Sequence, residues 1–154
     1  MQGEEIMKTA IIYYSKHHGN TKKLLDAIKK ASNDEIDLIE AATTQKVNLE
    51  EYDRIGFASG IYYSKFDKRV LKYAKDNTPN KKDVFFIYTY GTEKPGYTKA
   101  IREALMGKNV TVLGEYGCLG FNTFGPFKLI GGMAKNHPND TEIKDAVAFY
   151  NQLG

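Results

Sequence analysis

Short strand-like runs alternate with amphipathic helical stretches along this chain, and that alternation limits the possible fold more than any other feature. Five runs are rich in apolar, β-prone residues, and the first is almost continuously apolar. Runs of this kind are typical of strands that are covered on both faces. The predicted strands are Lys8–Tyr14, Glu35–Ile39, Arg54–Ser59, Asp83–Tyr90 and Val110–Leu119.

The stretches between the strands have the apolar spacing of helices that pack one face against a sheet. In the first, the apolar positions are Leu24, Leu25, Ile28 and Ala31. The further predicted helices are Phe66–Asp76, with Val70, Leu71, Tyr73 and Ala74 inward, Thr98–Met106 and Thr141–Leu153. Asp140 and Glu142 suit the start of the last helix, although Thr141 and Lys144 do not form a capping box. A single helical turn is expected at Asn48–Glu51.

This order predicts one α/β domain that spans residues 1–154. Strict alternation implies right-handed crossovers and a five-stranded parallel sheet with helices on both faces. The strand order 2-1-3-4-5 fits such a three-layer α/β/α sandwich. Ligands bind there beyond the carboxyl ends of the strands where the order reverses. The loops expected to form a site are therefore Ser15–Thr21, Gly60–Ser64 and Gly91–Tyr97.

The first of these loops, SKHHGNT, joins the first strand to the first helix. Gly19 permits a tight turn, the hydroxyls of Ser15 and Thr21 can donate, and the amides at the helix start can hold a phosphate. Basic side chains crowd the positive end of the helix dipole, which is unfavourable unless an anion binds there. They are Lys16, His17, His18, Lys22 and Lys23. The alternative is a plain turn with Asn20 as the helix cap and solvated lysines.

The second and third loops carry small and aromatic residues rather than acids or bases. The second contains Ser59, Gly60, Ile61 and Tyr62, and the third contains Thr89, Tyr90, Gly91 and Thr92. Small residues let a flat ligand approach the backbone, and aromatic side chains can lie against its face. The alternative for at least one of Tyr62 and Tyr63 is simple packing on the next helix.

Composition excludes several classes of protein. A net charge of +3 that is spread along 154 residues is not the basic stripe of a nucleic-acid binder. With one cysteine, Cys118, there is no internal disulfide, which agrees with a reducing compartment. No segment is apolar enough to span a membrane, and residues 1–6 look like an extension without a signal peptide, so a cytoplasmic location is expected.

Four side chains are candidate reactive groups. The adjacent His17 and His18 lack a nearby third ligand for a metal. Cys118 lies within a strand and is expected to be a buried apolar residue, and His137, beside Pro138, is expected to be an exposed loop residue.

Three stretches, YYSKHHGNTKKLLDAI, SGIYYS and TYGT, together resemble the FMN-binding loops of the flavodoxin family. The resemblance extends over the chain from Met7, and it implies a flavodoxin-like fold and a non-covalently bound FMN. Its phosphate would lie in the first loop and its ring between the other two. The cofactor-binding residues implied are Ser15, Lys16, His17, His18, Gly19, Asn20, Thr21, Ser59, Gly60, Ile61, Tyr62, Thr89, Tyr90, Gly91 and Thr92.

Some features depart from the common flavodoxin pattern. The first loop is one residue longer than S-x-T-G-N-T, a spacing that resembles the menaquinone-dependent protoporphyrinogen oxidase branch. Thr92 stands where an aromatic residue often covers the ring, so Tyr62, Tyr90 or Tyr97 is expected to replace it. Residues 120–140 form an insertion before the last helix, which could fold over the flavin, form a partner surface or pack as an ordered loop on the sheet edge. Unlike the strongly acidic electron shuttles, this chain is slightly basic.

The sequence is compatible with two functions. The first is electron transfer by bound FMN between redox partner proteins or small-molecule donors and acceptors. The alternative is a flavin-dependent oxidoreductase that acts on a quinone or a porphyrinogen. A response-regulator receiver shares the strand order, but it needs an acidic pair, a phosphoacceptor Asp and a Lys, where this chain has Tyr14-Ser15-Lys16, Ser59 and Gly120.

Overall fold

The computed structural model describes residues 6–15, 19–43, 45–120 and 136–154. The strands are β1 (Lys8–Tyr14), β2 (Glu35–Glu40), β3 (Arg54–Tyr62), β4 (Lys65–Phe66), β5 (Asp83–Tyr90) and β6 (Thr111–Leu119). The α-helices are α1 (Asn20–Ala31), α2 (Lys68–Asn77), α3 (Lys99–Ala104) and α4 (Asp140–Asn151), and a 3-10 turn spans Leu49–Glu51. Each predicted strand and helix is present, with shifts at several ends.

The five long strands form one parallel sheet in the order β2-β1-β3-β5-β6. Since β5 and β6 are the fourth and fifth long strands, the predicted order 2-1-3-4-5 is confirmed. The short β4 was not predicted, and it pairs antiparallel with the end of β3. Gly60, Ile61 and Tyr62 therefore belong to a strand and not to a loop, which corrects the predicted end of the third strand at Ser59.

Helices cover both faces of the sheet and complete the three layers. On one face, α2 and α3 bury Val70, Tyr73 and Ile101 against the strands. On the other face, Leu24 of α1 and Tyr150 of α4 belong to a second apolar cluster. Within the part of the chain that the structure describes, no helix is long and apolar enough to cross a membrane.

The starts of two helices differ from the prediction because of local capping. Helix α2 begins at Lys68 after Asp67, whose carboxylate accepts a hydrogen bond from the amide of Arg69 at 2.8 Å. Helix α4 begins at Asp140, and Asn139 forms a capping box with Glu142. The predicted starts at Phe66 and Thr141 were therefore wrong by two residues and one residue. The capping box begins at Asn139, two residues before Thr141. The bulk of the predicted insertion 120–140 lies outside the described residues.

A buried polar network closes the amino edge of the sheet. The Arg54 side chain is 5% exposed, and its Nη2 lies 3.2 Å from Oδ2 of Asp34. The Tyr150 hydroxyl donates to the same carboxylate oxygen at 2.7 Å and lies 2.8 Å from the Thr9 hydroxyl. The guanidinium also stacks 4.7 Å above the ring of Tyr150. This network joins β1, β3, α4 and the turn before β2 at the edge opposite the predicted site.

Candidate functional site

The three predicted loops meet at the carboxyl edge of the sheet because β1, β3 and β5 are neighbours. Tyr14, at the end of β1, is in register with Ser59 of β3. Gly60 of β3 is in turn in register with Thr89 of β5. The sheet therefore brings together the described candidate residues of all three loops. Lys16, His17 and His18 lie outside the described part of the chain.

The first loop ends in a tight turn at the start of α1. Gly19 has φ 65°, a left-handed conformation that favours glycine, and its carbonyl accepts the first helical hydrogen bond from Lys23. The Lys22 amide lies 3.3 Å from Oγ of Ser15. No acidic residue occupies the first turn of α1, although the positive end of the helix dipole favours one. The predicted turn is confirmed, while Asn20 is the first helical residue and not the cap.

A buried hydroxyl pair joins the first loop to the third. Oγ1 of Thr21 and Oγ1 of Thr89 lie 2.9 Å apart, and these two residues are 0% and 3% exposed. Asn20 is also buried, and a Cβ on Gly120 would lie 2.7 Å from its Nδ2. Gly120 thus allows the end of β6 to pack tightly against the start of α1. The Thr21 hydroxyl was predicted to donate to an anion, but in this structure it forms a hydrogen bond with the Thr89 hydroxyl.

The second loop is a hairpin whose strands are held by Ser59. The Ser59 hydroxyl donates to the carbonyl of Gly60 at 2.5 Å and accepts from the Asp67 amide at 2.9 Å. A Cβ on Gly60 would lie 2.8 Å from the Tyr62 hydroxyl, so the Tyr62 ring lies across the glycine. The space beside Gly60 is therefore occupied by the Tyr62 ring, and the approach of a flat ligand to this backbone stays a prediction.

The turn between β3 and β4 consists of Tyr63 and Ser64 alone. Their φ angles are 52° and 68°, as a two-residue hairpin turn with both central residues left-handed requires. Turns of this type usually contain Asn and Gly, so the sequence carried no signal for it. The turn leaves Tyr63 83% exposed at the rim of the site.

The third loop is closed by an aromatic stack. The rings of Tyr90 and Tyr97 are stacked, with centroids 5.7 Å apart and planes inclined by 30°. The Tyr97 hydroxyl donates to the carbonyl of Thr92. Burial raises the pKa of both phenols. Tyr97 is 7% exposed, whereas Thr92 and most of the intervening loop are exposed, so the ring braces the loop from beneath.

Two residues considered outside these loops are also located by the structure. Cys118 is 4% exposed, as expected of a buried apolar residue, and burial raises the pKa of its thiol to about 12. His137 is half-buried, and its Nδ1 lies 2.5 Å from Oε1 of Glu142. The expectation of an exposed loop histidine was wrong, because the cap of α4 places a carboxylate beside the ring.

The chain matches one family model and a relative of similar length. The model of the flavodoxin domain matches residues 11–120, which include all three loops. An uncharacterized protein of Methanocaldococcus jannaschii is 39% identical over 145 residues, which are 93% of this chain and 95% of that protein.

Solved structures agree in fold. A flavodoxin from the domain Archaea is 18% identical with a TM-score of 0.70, and the match covers 96% of this chain and 99% of that one. A variant of the Fusobacterium nucleatum flavodoxin, solved with flavin mononucleotide bound, is 17% identical with a TM-score of 0.65 and 96% coverage of each chain. The sheet order, the site-bearing loops and the match of the family model over most of the chain lead to one conclusion: the protein belongs to the flavodoxin domain family.

Proposed function

We propose that this protein binds FMN at the carboxyl edge of its sheet and carries electrons between redox partners. The observation that carries the proposal is the start of α1, where a left-handed glycine leads into a first turn that holds lysines and no acid. An anion at this position would offset the repulsion between the lysines and the helix dipole. The flavodoxin from Fusobacterium nucleatum, which has the same fold, was solved with flavin mononucleotide.

The first loop has the donors that a phosphate needs. The amides of the first turn of an α-helix have no intrahelical partners, so those of Asn20 and Thr21 can point towards an anion. The Ser15 hydroxyl is held near this turn by the amide of Lys22. Ser15, Gly19, Asn20 and Thr21 would hold the phosphate in this proposal. The bond between Thr21 and Thr89 would keep the phosphate end in a fixed position relative to the third loop.

The second and third loops would hold the ring. The Tyr62 ring lies across Gly60, so a flat group would reach the backbone of Gly60 only if this ring turned aside. Tyr90 is braced by Tyr97 and half-buried at the end of β5. Ile61, Tyr90, Gly91 and Thr92 complete the predicted ring site, with Ser59 supporting its backbone from below.

Bound FMN supplies the chemistry, since it accepts and releases one or two electrons. The residues of this chain would bind the phosphate, orient the ring and limit its contact with water. Backbone groups at Gly60 and Gly91 would determine which hydrogen bonds reach the polar edge of the ring. No described side chain of the site needs to act as an acid or base for electron transfer.

The proposal is tested by loading the purified protein with FMN and with riboflavin. We expect a flavin absorbance band and tight FMN binding, and we expect Ser15→Ala to weaken FMN binding much more than riboflavin binding. Ser32→Ala, at the other end of α1, is the matched control and should change neither affinity. A colourless protein that fails to bind added FMN would refute the proposal, and equal losses for both flavins would show that the first loop does not hold the phosphate.

A further measurement separates a carrier from an enzyme. The loaded protein is mixed with NAD(P)H and a quinone, and turnover is followed by absorbance. We expect single-turnover exchange with redox proteins and no sustained quinone reduction. Sustained turnover would instead favour the oxidoreductase.

A further inference from the structure

The rim of the second and third loops carries a group of exposed cations around an exposed aromatic ring. We call this surface the lysine face, and it consists of Tyr63, Lys65, Lys68, Lys94 and Lys99. We propose that the lysine face is the docking surface for an acidic redox protein, which rests on the proposed electron transfer by FMN. Membership of the flavodoxin domain family does not by itself determine the charge of that partner.

Within the part of the chain that the structure describes, none of the four lysines of this face takes part in an ion pair. Of the acids nearby, Asp67 is already paired with Arg69 at 3.0 Å. Glu93 is next to Lys94 in the sequence and Glu103 lies four residues after Lys99, and neither acid takes part in an ion pair among the described residues. The face therefore keeps a clear excess of positive charge.

Two of these lysines lie at helix starts, where a positive charge is least favourable. Lys68 is the first residue of α2 and Lys99 the first of α3, and neither helix has an acid in its first turn. A lysine there adds its charge to the positive end of the helix dipole, an effect confined to the first turn. The Asp67 carboxylate, which caps α2, already offsets part of the charge at Lys68. An acidic surface that docks over the rim would offset the charge that remains.

Contacts between the elements bring Lys65, Lys68 and Lys99 to the same region of the fold. Strand β4, which carries Lys65, contacts α3, and α2 packs beside α3. The two-residue turn holds Tyr63 at the tip of the β3–β4 hairpin with its ring 83% exposed. Exposed tyrosines are enriched at protein interfaces, where they contribute apolar area and a hydroxyl. An exposed ring on a face that also carries these lysines fits an apolar contact with an acidic border.

The partner chemistry follows from this charge. Opposite charges steer two proteins together and can raise association rates by about 10 to 1,000-fold at low ionic strength. A partner with carboxylates around its redox centre would be drawn to the lysine face, and it would dock beside the loops that are proposed to hold the flavin. A basic partner would be repelled from the same rim.

The experiment uses the FMN-loaded, reduced protein and two ferric c-type cytochromes as probes, one with an acidic haem face and one with a basic haem face. In each reaction one electron passes from the reduced flavin to the ferric haem iron, which becomes ferrous. We expect the acidic cytochrome to react faster at low ionic strength, and its rate constant to fall as salt shortens the Debye length from about 30 Å to about 8 Å. The basic cytochrome should show the opposite salt dependence.

Charge reversal tests the surface itself. Lys65→Glu with Lys68→Glu should slow the reaction with the acidic cytochrome at low salt by about tenfold or more. Lys29→Glu with Lys30→Glu, at the far end of α1, makes the same change in net charge and should have a much smaller effect. Glutamate suits position 68 because it begins a helix, so the first variant is expected to fold.

The outcomes separate this proposal from the one on which it rests. A protein that binds no FMN overturns both. A protein that binds FMN but reacts equally with the two cytochromes, or loses as much rate in the Lys29 and Lys30 control, overturns the docking surface and leaves the proposed electron transfer intact. Retained FMN content in each variant shows that a slower rate is due to association and not to loss of the flavin.

Discussion

The hydroxyl pair between Thr21 and Thr89 gives the sharpest prediction, because both side chains are buried and each is the other's partner. Their oxygens lie 2.9 Å apart between α1 and β5. Replacing one threonine by valine keeps the shape and leaves the other hydroxyl buried without that partner, which costs about 1–3 kcal/mol. The double replacement removes both hydroxyls and should be nearly neutral.

The assay is urea unfolding of the protein without flavin, with the four forms compared in a double-mutant cycle. We expect each single variant, Thr21→Val or Thr89→Val, to lower the free energy of unfolding by about 1–3 kcal/mol. In a chain of this size each kcal/mol corresponds to about 2–4 °C in the melting temperature. The double variant should lose less than the sum of the singles, with a coupling of about 1 kcal/mol or more.

A matched control is available in Thr78. It is 4% exposed, and its hydroxyl is buried with no hydrogen-bond partner in the described structure. Thr78→Val is therefore expected to be neutral or slightly stabilising, because it removes an unsatisfied polar group. Additive losses in the cycle, or an equal loss in Thr78→Val, would show that the two threonines contribute through packing alone.

Three further predictions follow from contacts away from this pair. Tyr97→Phe, which removes the hydrogen bond to the carbonyl of Thr92, should weaken FMN binding by about twofold to tenfold, as one net hydrogen bond of about 0.5–1.5 kcal/mol implies; unchanged affinity in a fluorescence titration would contradict the bracing role. Asp34→Asn should lower the free energy of unfolding by about 3–5 kcal/mol because it leaves the buried Arg54 charge without its carboxylate. A calorimetric loss below about 1 kcal/mol, which is the contribution of a surface ion pair, would contradict this prediction. Burial raises the pKa of the Cys118 thiol to about 12, whereas the unfolded thiol titrates near about 8.5, so this contribution to stability is present below pH 8.5 or so and is lost as pH rises towards 12. Urea midpoints measured across that range should fall less steeply in Cys118→Ala, and an identical slope would exclude the thiol as a cause.

The arrangement of the sheet could be predicted because it depends on regular patterns. Apolar runs such as Asp83–Tyr90 are separated by helical stretches, and right-handed crossovers leave few possible strand orders. The same reasoning placed the three loops at one edge, since the carboxyl ends of β1, β3 and β5 have to meet there. The part of the site that follows from topology was therefore predictable.

The contacts that shape the site in detail depend on tertiary structure and were not predictable. Thr21 and Thr89 are 68 residues apart, and nothing in either segment indicates that their hydroxyls meet. The turn at Tyr63 and Ser64 lacks the glycine that usually identifies its type, because the surrounding hairpin and not the local sequence imposes the left-handed angles. The capping box at Asn139, in contrast, could have been predicted, since Asn followed by Glu three residues later is a recognisable pattern.

The network at the amino edge of the sheet also bears on how the chain folds. The hydroxyls of Thr9 and Tyr150 meet across 141 residues of sequence, and α1 packs against α4. The face covered by α2 and α3 is built from elements that follow one another closely, so it can close early. The opposite face has to await α4, and long-range closure of this kind is slow. Without α4 the apolar side chains beneath it, including Phe85, would be open to solvent, so a chain truncated before α4 is expected to aggregate.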